Sequence, residues 1–128
     1  MSIEVREHDA FVEFVGSGEL SAAEIMTVSA AFHSRTPKKL ALWNLFNAQI
    51  SYFKAEYFLR VAEKGAELAR LRGEGARNAI LVRNEDEGLL LHAYASTASA
   101  VSPVEHEVFL DREEAIAWLT ATSGKARS

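Results

Sequence analysis

The side chains best suited to moving a proton near neutral pH are four histidines, His8, His33, His92 and His106. None belongs to an H-x-x-x-H pair. His106 is flanked by Glu105 and Glu107, three residue types that ligate metals. They lie in the alternating run "HEVFL", and on a strand neighbouring side chains point to opposite faces. The three therefore cannot converge, and an exposed strand edge is expected there. The acids of "NEDE" (84–87) and "DREE" (111–114) could in principle hold a cation. Both have the spacing of a helix capping box, which accounts for them without one. No G-x-S-x-G elbow is present. "GEGAR" (73–77) follows a helical pattern and precedes a strand, the reverse of the order a phosphate cradle needs. "GSGEL" (16–20) has the right order, but it lacks the G-x-G-x-x-G spacing and carries the acidic Glu19, so a turn is expected. An enzyme would have to use the polar set Asn44, Asn47 and His92, and no spacing brings these together. The expectation is a non-enzyme with no catalytic residue, no metal and no cofactor.

A different kind of site is suggested by Leu42 to Phe58, "LWNLFNAQISYFKAEYF", where aromatics flank a polar hinge. "KLALWNLF" is continuously apolar except for Asn44, as in a strand covered on both faces. Within it, Asn44 needs a hydrogen-bond partner. "NAQIS" is expected as the loop at the strand's C-terminal end, where open α/β sheets place their ligand crevice. Ser51 is expected to cap the following helix. Phe58 falls on that helix's buried stripe. Phe53, Tyr57, Arg60 and Lys64 follow another stripe, at spacings of 4, 3 and 4, and aromatics continuing into cations are not a core pattern. The candidate partner or ligand surface is thus Asn47, Gln49, Ser51, Phe53 and Tyr57. The alternative is a pocket between the long helix and its neighbour, lined by Phe53, Tyr57 and Trp43, for a small apolar or lipid-like molecule. The bland account is that Phe53 and Tyr57 only cover the helix flank. Lys64, Arg70, Arg72 and Arg77 gather near the end of the same helix, where positive charge suits the helix dipole, and a solvated helix end is expected.

The whole chain limits what these residues can belong to. It has 128 residues, enough for one domain with one core, and residues 1–122 are expected to form it, with a flexible tail over 123–128. Hydrophobic content of 48% and charged content of 25% are ordinary for a globular protein. A net charge of −4 disfavours a nonspecific nucleic-acid binder, which needs a basic face. With no cysteine, disulfides and thiolate chemistry are excluded, and the N-terminus lacks a signal-peptide core. No run approaches the ~18–20 apolar residues that span a bilayer. A cytoplasmic protein is expected.

The elements follow from periodicity. Ile3 and Val5 alternate with charged residues, "EHD" turns, and "AFVEFVGSG" forms a second strand ended by Gly16 and Gly18. "SAAE" (21–24) is a capping box opening a helix that Thr36-Pro37 stops. The central strand follows, then a long helix over about 51–72 with Val61, Ala62, Gly65, Leu68 and Ala69 on its buried stripe. Gly65 there suggests close approach to the sheet, and Gly73 and Gly75 supply the C-terminal cap. "NAILV" (78–82) is a further strand. The next helix uses Leu90, Ala93, Tyr94, Thr97 and Val101. A last strand at 106–110 and a last helix with Ala115, Trp118 and Leu119 complete the chain. Strands alternating with helices imply right-handed crossovers and a mostly parallel sheet. The expectation is an α/β sandwich of about five strands and four helices, with an antiparallel opening hairpin.

Three stretches resemble a known family: "GELSAAE" after the hairpin, "KLALWNL" running into a helix, and "EVFLDREEAIAWL" at the end. On these the chain resembles the SpoIIAA-like proteins of the STAS superfamily, over about residues 3 to 119. The resemblance implies a STAS-type fold and a regulatory or protein-interaction role, related in fold to CRAL-TRIO lipid-transfer domains. In anti-sigma factor antagonists a serine after the third strand is phosphorylated. The matching region here is "NAQISYF", and Ser51 is its only serine, but Ile50 precedes it and the usual Asp-Ser pair is missing. A partner protein or self-association, such as a homodimer through an open sheet edge, is the corresponding expectation.

Overall fold

The structure, a computed structural model, describes residues 2–51 and 55–121. It contains the expected five strands and four helices in the order β1 (Ser2–Glu7), β2 (Val12–Ser21), α1 (Ala22–Arg35), β3 (Leu40–Ser51), α2 (Ala55–Arg72), β4 (Arg77–Leu81), α3 (Glu85–Val101), β5 (Glu105–Phe109) and α4 (Arg112–Thr120). One sheet runs β1-β2-β3-β4-β5. β1 is antiparallel to β2, and every later pair is parallel. Helices α1, α2 and α3 cover one face, over Val12, Phe14, Trp43, Leu45, Ile80 and Val108. Among the described elements α4 alone covers the other, packing Ala115 and Leu119 on Leu42, Ala79 and Leu81. Leu42 and Leu119 are wholly buried. Truncating a leucine in such a place costs about 2–5 kcal/mol.

Local chemistry explains where the elements start and stop. At Ser21 the capping box is complete: Glu24 N–H donates to Ser21 Oγ at 3.2 Å, and Ser21 N–H donates to Glu24 Oε1 at 2.8 Å. α1 ends at Thr36, before Pro37. α2 ends where Gly73 takes φ +99, its N–H bonded to the Ala69 carbonyl at 3.0 Å.

Several expectations need correction. β2 does not end at Gly16 and Gly18 but runs through both to Ser21, so "GSGEL" is strand and not turn. "NAQIS" likewise belongs to β3, in register with Ser17–Ser21, and is not a loop. The two strands rise together past the end of β4 as a two-stranded ribbon. Where they begin to do so, Leu45 and Phe46 both stand against Gly16, a bulge on β3. A Cβ on Gly16 would come within 2.6 Å of Leu20 Cδ1 and 3.2 Å of Leu45 Cδ2, so a side chain there would have to displace Leu20. α3 buries Leu91, Ala95 and Ala98, with Tyr94 half-buried, while Ala93 and Val101 face solvent. Its buried stripe is thus rotated from the expected one. Asp111 stands at the start of α4 without a side-chain cap bond.

Candidate functional site

On the face covered by α4, the alternation of β2 turns Glu13 inward, where it is 1% exposed. A buried carboxylate survives only with partners, and Glu13 has three. Its Oε1 accepts from Arg112 Nη2 at 2.7 Å and from His8 Nε2 at 2.8 Å, and its Oε2 accepts from Asn44 Nδ2 at 2.9 Å. Burial alone would raise its pKa, but the bonds from Arg112, Asn44 and His8 outweigh that and hold the carboxyl below its usual range. Asn44 thus finds the partner its place in an apolar strand demanded. Its Oδ1 accepts from the Phe46 N–H at 3.2 Å.

That pairing also disposes of the set Asn44, Asn47 and His92. Asn44 lies on the α4 face, whereas His92 is an exposed residue of α3 on the opposite face. The structure does not bring the two together.

The surface expected around the hinge is described in part. Asn47 and Gln49 are exposed on the ribbon segment of β3, and the Ser51 backbone closes the strand opposite Ser21. Phe53 lies outside the described residues, as does the turn that Ser51 would cap. Tyr57 lies within α2, but its side chain and that of Phe58 are outside the description. β4 pairs with β3 only as far as Asn44, so among the described strands none lies along the outer edge of β3 beyond that point.

The basic group splits in two. Lys64 and Arg70 are exposed as expected, but Arg72 and Arg77 are buried, at 6% and 7% exposure. Arg72 donates to the carbonyls of Lys38 (2.8 Å), Lys39 (3.1 Å) and Arg77 (3.2 Å), tying the end of α2 to the start of β3 and β4. Arg77 donates to the carbonyls of Trp118 and Ala121 at the end of α4 and lies 5.5 Å from the centre of the Trp118 ring. Both are staples for main-chain carbonyls, and neither is a solvated helix end.

Behind α2, on the three-helix face, lies a cavity with about 80 Å³ of room for a water-sized sphere. Its apolar wall comes from the sheet (Trp43, Leu45, Ile80) and from the helices (Ile25, Val61, Leu68, Leu91). At the sheet's far side, Asn78 and His106 are paired across β4 and β5. Asn78 Nδ2 and His106 Nε2 are 3.2 Å apart, and His106 Nδ1 is 2.9 Å from the Val104 carbonyl. A carbonyl only accepts, so Nδ1 carries the hydrogen and Nε2 accepts from Asn78. His106 is therefore not on an exposed edge. It is half-buried under Tyr94, with which it makes an edge-to-face contact at 5.8 Å, while Glu105 and Glu107 are exposed. Burial pushes the His106 pKa down to about 4 and the Tyr94 pKa up to about 12, so both are neutral at physiological pH. Arg72, also on the cavity wall, is pushed down to about 10 by burial and keeps its charge. Gly65 lines the same space. A Cβ there would meet nothing within 4 Å, so the glycine faces a void and does not mark a close approach to the sheet.

Glu13 was not marked by the sequence, and a pocket beside the long helix with Trp43 in its wall was expected only as the alternative. A glutamate in the alternating run "FVEFV" looks solvent-facing when only one side of the sheet is taken to be covered, and a void leaves no periodicity.

No family model and no curated protein matches the chain. Among solved structures it is similar to an uncharacterised protein of the DUF3478 family from Shewanella loihica PV-4, which has a SpoIIAA-like fold. The TM-score is 0.56 at 21% identity, over 92% of each chain.

Proposed function

We propose that this chain, whose fold is SpoIIAA-like, is a non-enzymatic regulatory module that binds a protein partner through the free end of β3. The observation that carries this reading is the edge of β3 beyond Asn44, where no described strand pairs and where Asn47 and Gln49 are exposed. An unpaired strand edge offers main-chain donors and acceptors to an extended segment of a partner, or to the same edge of a second copy. Among the described residues, no helix is long and apolar enough to cross a membrane. The polar groups that could have done chemistry are engaged elsewhere: Glu13 and Asn44 hold each other, and Arg72 and Arg77 hold main-chain carbonyls. Gln49→Lys, which changes an exposed side chain of that segment, together with Ser51→Asp and Tyr57→Ala, tests the surface. Partner capture and self-association, read by pull-down and sedimentation, are expected to fall at least tenfold while the circular dichroism is retained. Unchanged capture by all three variants would remove this surface from consideration.

A second reading, a binder of a small, largely apolar molecule, is favoured by the cavity behind α2 and by Trp43 in its wall.

A further inference from the structure

Among the described residues, the cavity walls carry two cations and no acid. Lys64 and Arg72 line it with Ser29, Asn78, Tyr94, Ser102 and His106, and no aspartate or glutamate is among the lining residues, although the chain as a whole carries a net charge of −4. Arg72 makes its bonds to neutral carbonyls, and among the described residues no carboxylate lies within ion-pair distance of it. A guanidinium taken out of water without a counter-charge is costly, and an anion brought next to it recovers part of that cost. The fold compensates Glu13, on the other face, with Arg112. Among the described residues it supplies no such group to Arg72.

The cavity also adjoins a surface groove. Met26 and Lys64 line both, and the groove, between α1 and α2, is completed by Ala23, Thr27, Ala30, Arg60, Glu63 and Glu67. Lys64 stands between the two, half-exposed and paired with the exposed Glu67 at 3.5 Å. The interior is floored by aliphatic and indole carbon, and Gly65 leaves room that any other residue would take. A glycine in a helix interior costs roughly 1 kcal/mol relative to alanine, and here no neighbour requires it.

Building on the ligand-binding reading above, we propose that this cavity is the site of a small monocarboxylate, its apolar body against Trp43, Leu45 and Ile80 and its carboxylate toward Arg72 and Lys64. The two cations fix the charge of the head group, and the carbon walls fix the character of the body.

The probe is hexanoate, with 1-hexanol and hexylamine as uncharged and cationic counterparts of the same chain length. The sequence has two tryptophans, Trp43 and Trp118. The Trp118→Phe protein therefore reports on the cavity through Trp43 fluorescence. Hexanoate is expected to saturate the signal at least tenfold more tightly than 1-hexanol, and hexylamine not to saturate it. Gly65→Leu, which fills the void, is expected to abolish the hexanoate response without lowering the melting temperature. Lys64→Glu is expected to weaken hexanoate by fivefold or more and leave 1-hexanol unchanged. Equal affinity for hexanoate and 1-hexanol would overturn the carboxylate assignment while leaving a neutral-ligand binder standing. Saturable binding of neither would sink the site and the binding reading together, as would a Gly65→Leu protein that binds like the parent.

Discussion

The two faces of the sheet treat a buried charge in opposite ways. Under α4, Glu13 is surrounded by Arg112, Asn44 and His8 and has every bond a carboxylate of its kind needs. Under α1, α2 and α3, Arg72 is held, among the described residues, by carbonyls alone, beside a void and two neutral polar side chains. The first arrangement is complete without any other molecule and serves to hold the fold. The second has uncompensated charge and space in one place. Burial of a charge is therefore no sign of function by itself; what it lacks, and whether there is room to supply it, tells more.

The largest effect should separate the faces by acidity. His33, whose Nδ1 accepts from the Lys38 N–H at 3.4 Å, and His106 belong to the three-helix face, and burial lowers their pKa values to about 3 and about 4. The unfolded chain takes up protons at these rings from about pH 6.5 downward, whereas the folded chain does not. Stability therefore falls as pH drops from about 6.5 toward 4, by roughly 3–5 kcal/mol for the two together. Glu13, with its lowered folded pKa, contributes stability that is present above the ordinary carboxylate range and lost only as pH falls below it. Urea titrations from pH 7.5 to 3.5 should show the upper part of this slope flatten in His106→Gln, and the lower part flatten in Glu13→Gln. Slopes unaltered by His106→Gln would contradict the assignment.

Next in size, Glu13→Ala should cost about 2–4 kcal/mol at neutral pH, because it leaves Asn44 without its acceptor and Arg112 without its counter-charge. Chemical denaturation checks this, and a loss below 1 kcal/mol would mean that the node is ornamental. The smallest effect has the opposite sign. Gly65→Ala should stabilise by about 0.5–1 kcal/mol, since the helix gains and nothing is struck. A destabilised Gly65→Ala protein would show that the void is smaller than described.

Fold class, the order of elements along the chain and most helix ends were legible in the sequence, because they rest on alternation, capping boxes and prolines. Ser21 and Glu24 announced α1, and the apolar run at Leu40–Phe46 announced a central strand. What was not legible came from pairing between distant segments. "GSGEL" and "NAQIS" contain turn-forming residues, yet each becomes strand because the other lies alongside it. Arg72 and Arg77 look like a charged helix end until the carbonyls of Lys38, Lys39 and Trp118 arrive from elsewhere in the chain. His106 looked edge-exposed because the covering residue, Tyr94, comes from another element. Of the candidate surface, Asn47 and Gln49 stand exposed at the place expected, but on a strand and not in a loop.

The bulge in β3 has a mechanical side. Phe46 is the extra residue, and side chains hold its main chain in place of the ladder: Asn44 Oδ1 accepts its N–H, and Arg83 Nη1 donates to its carbonyl at 3.3 Å. Asn44 is in turn gripped by Glu13. The sheet thus has a crease at Phe46, pinned by Arg83 on its carbonyl and, on its N–H, by the pair Asn44–Glu13 that begins in the α4 core. Whatever loosens Glu13 also unpins the crease, so the angle at which Asn47 and Gln49 are presented is set by a carboxylate that neither of them touches.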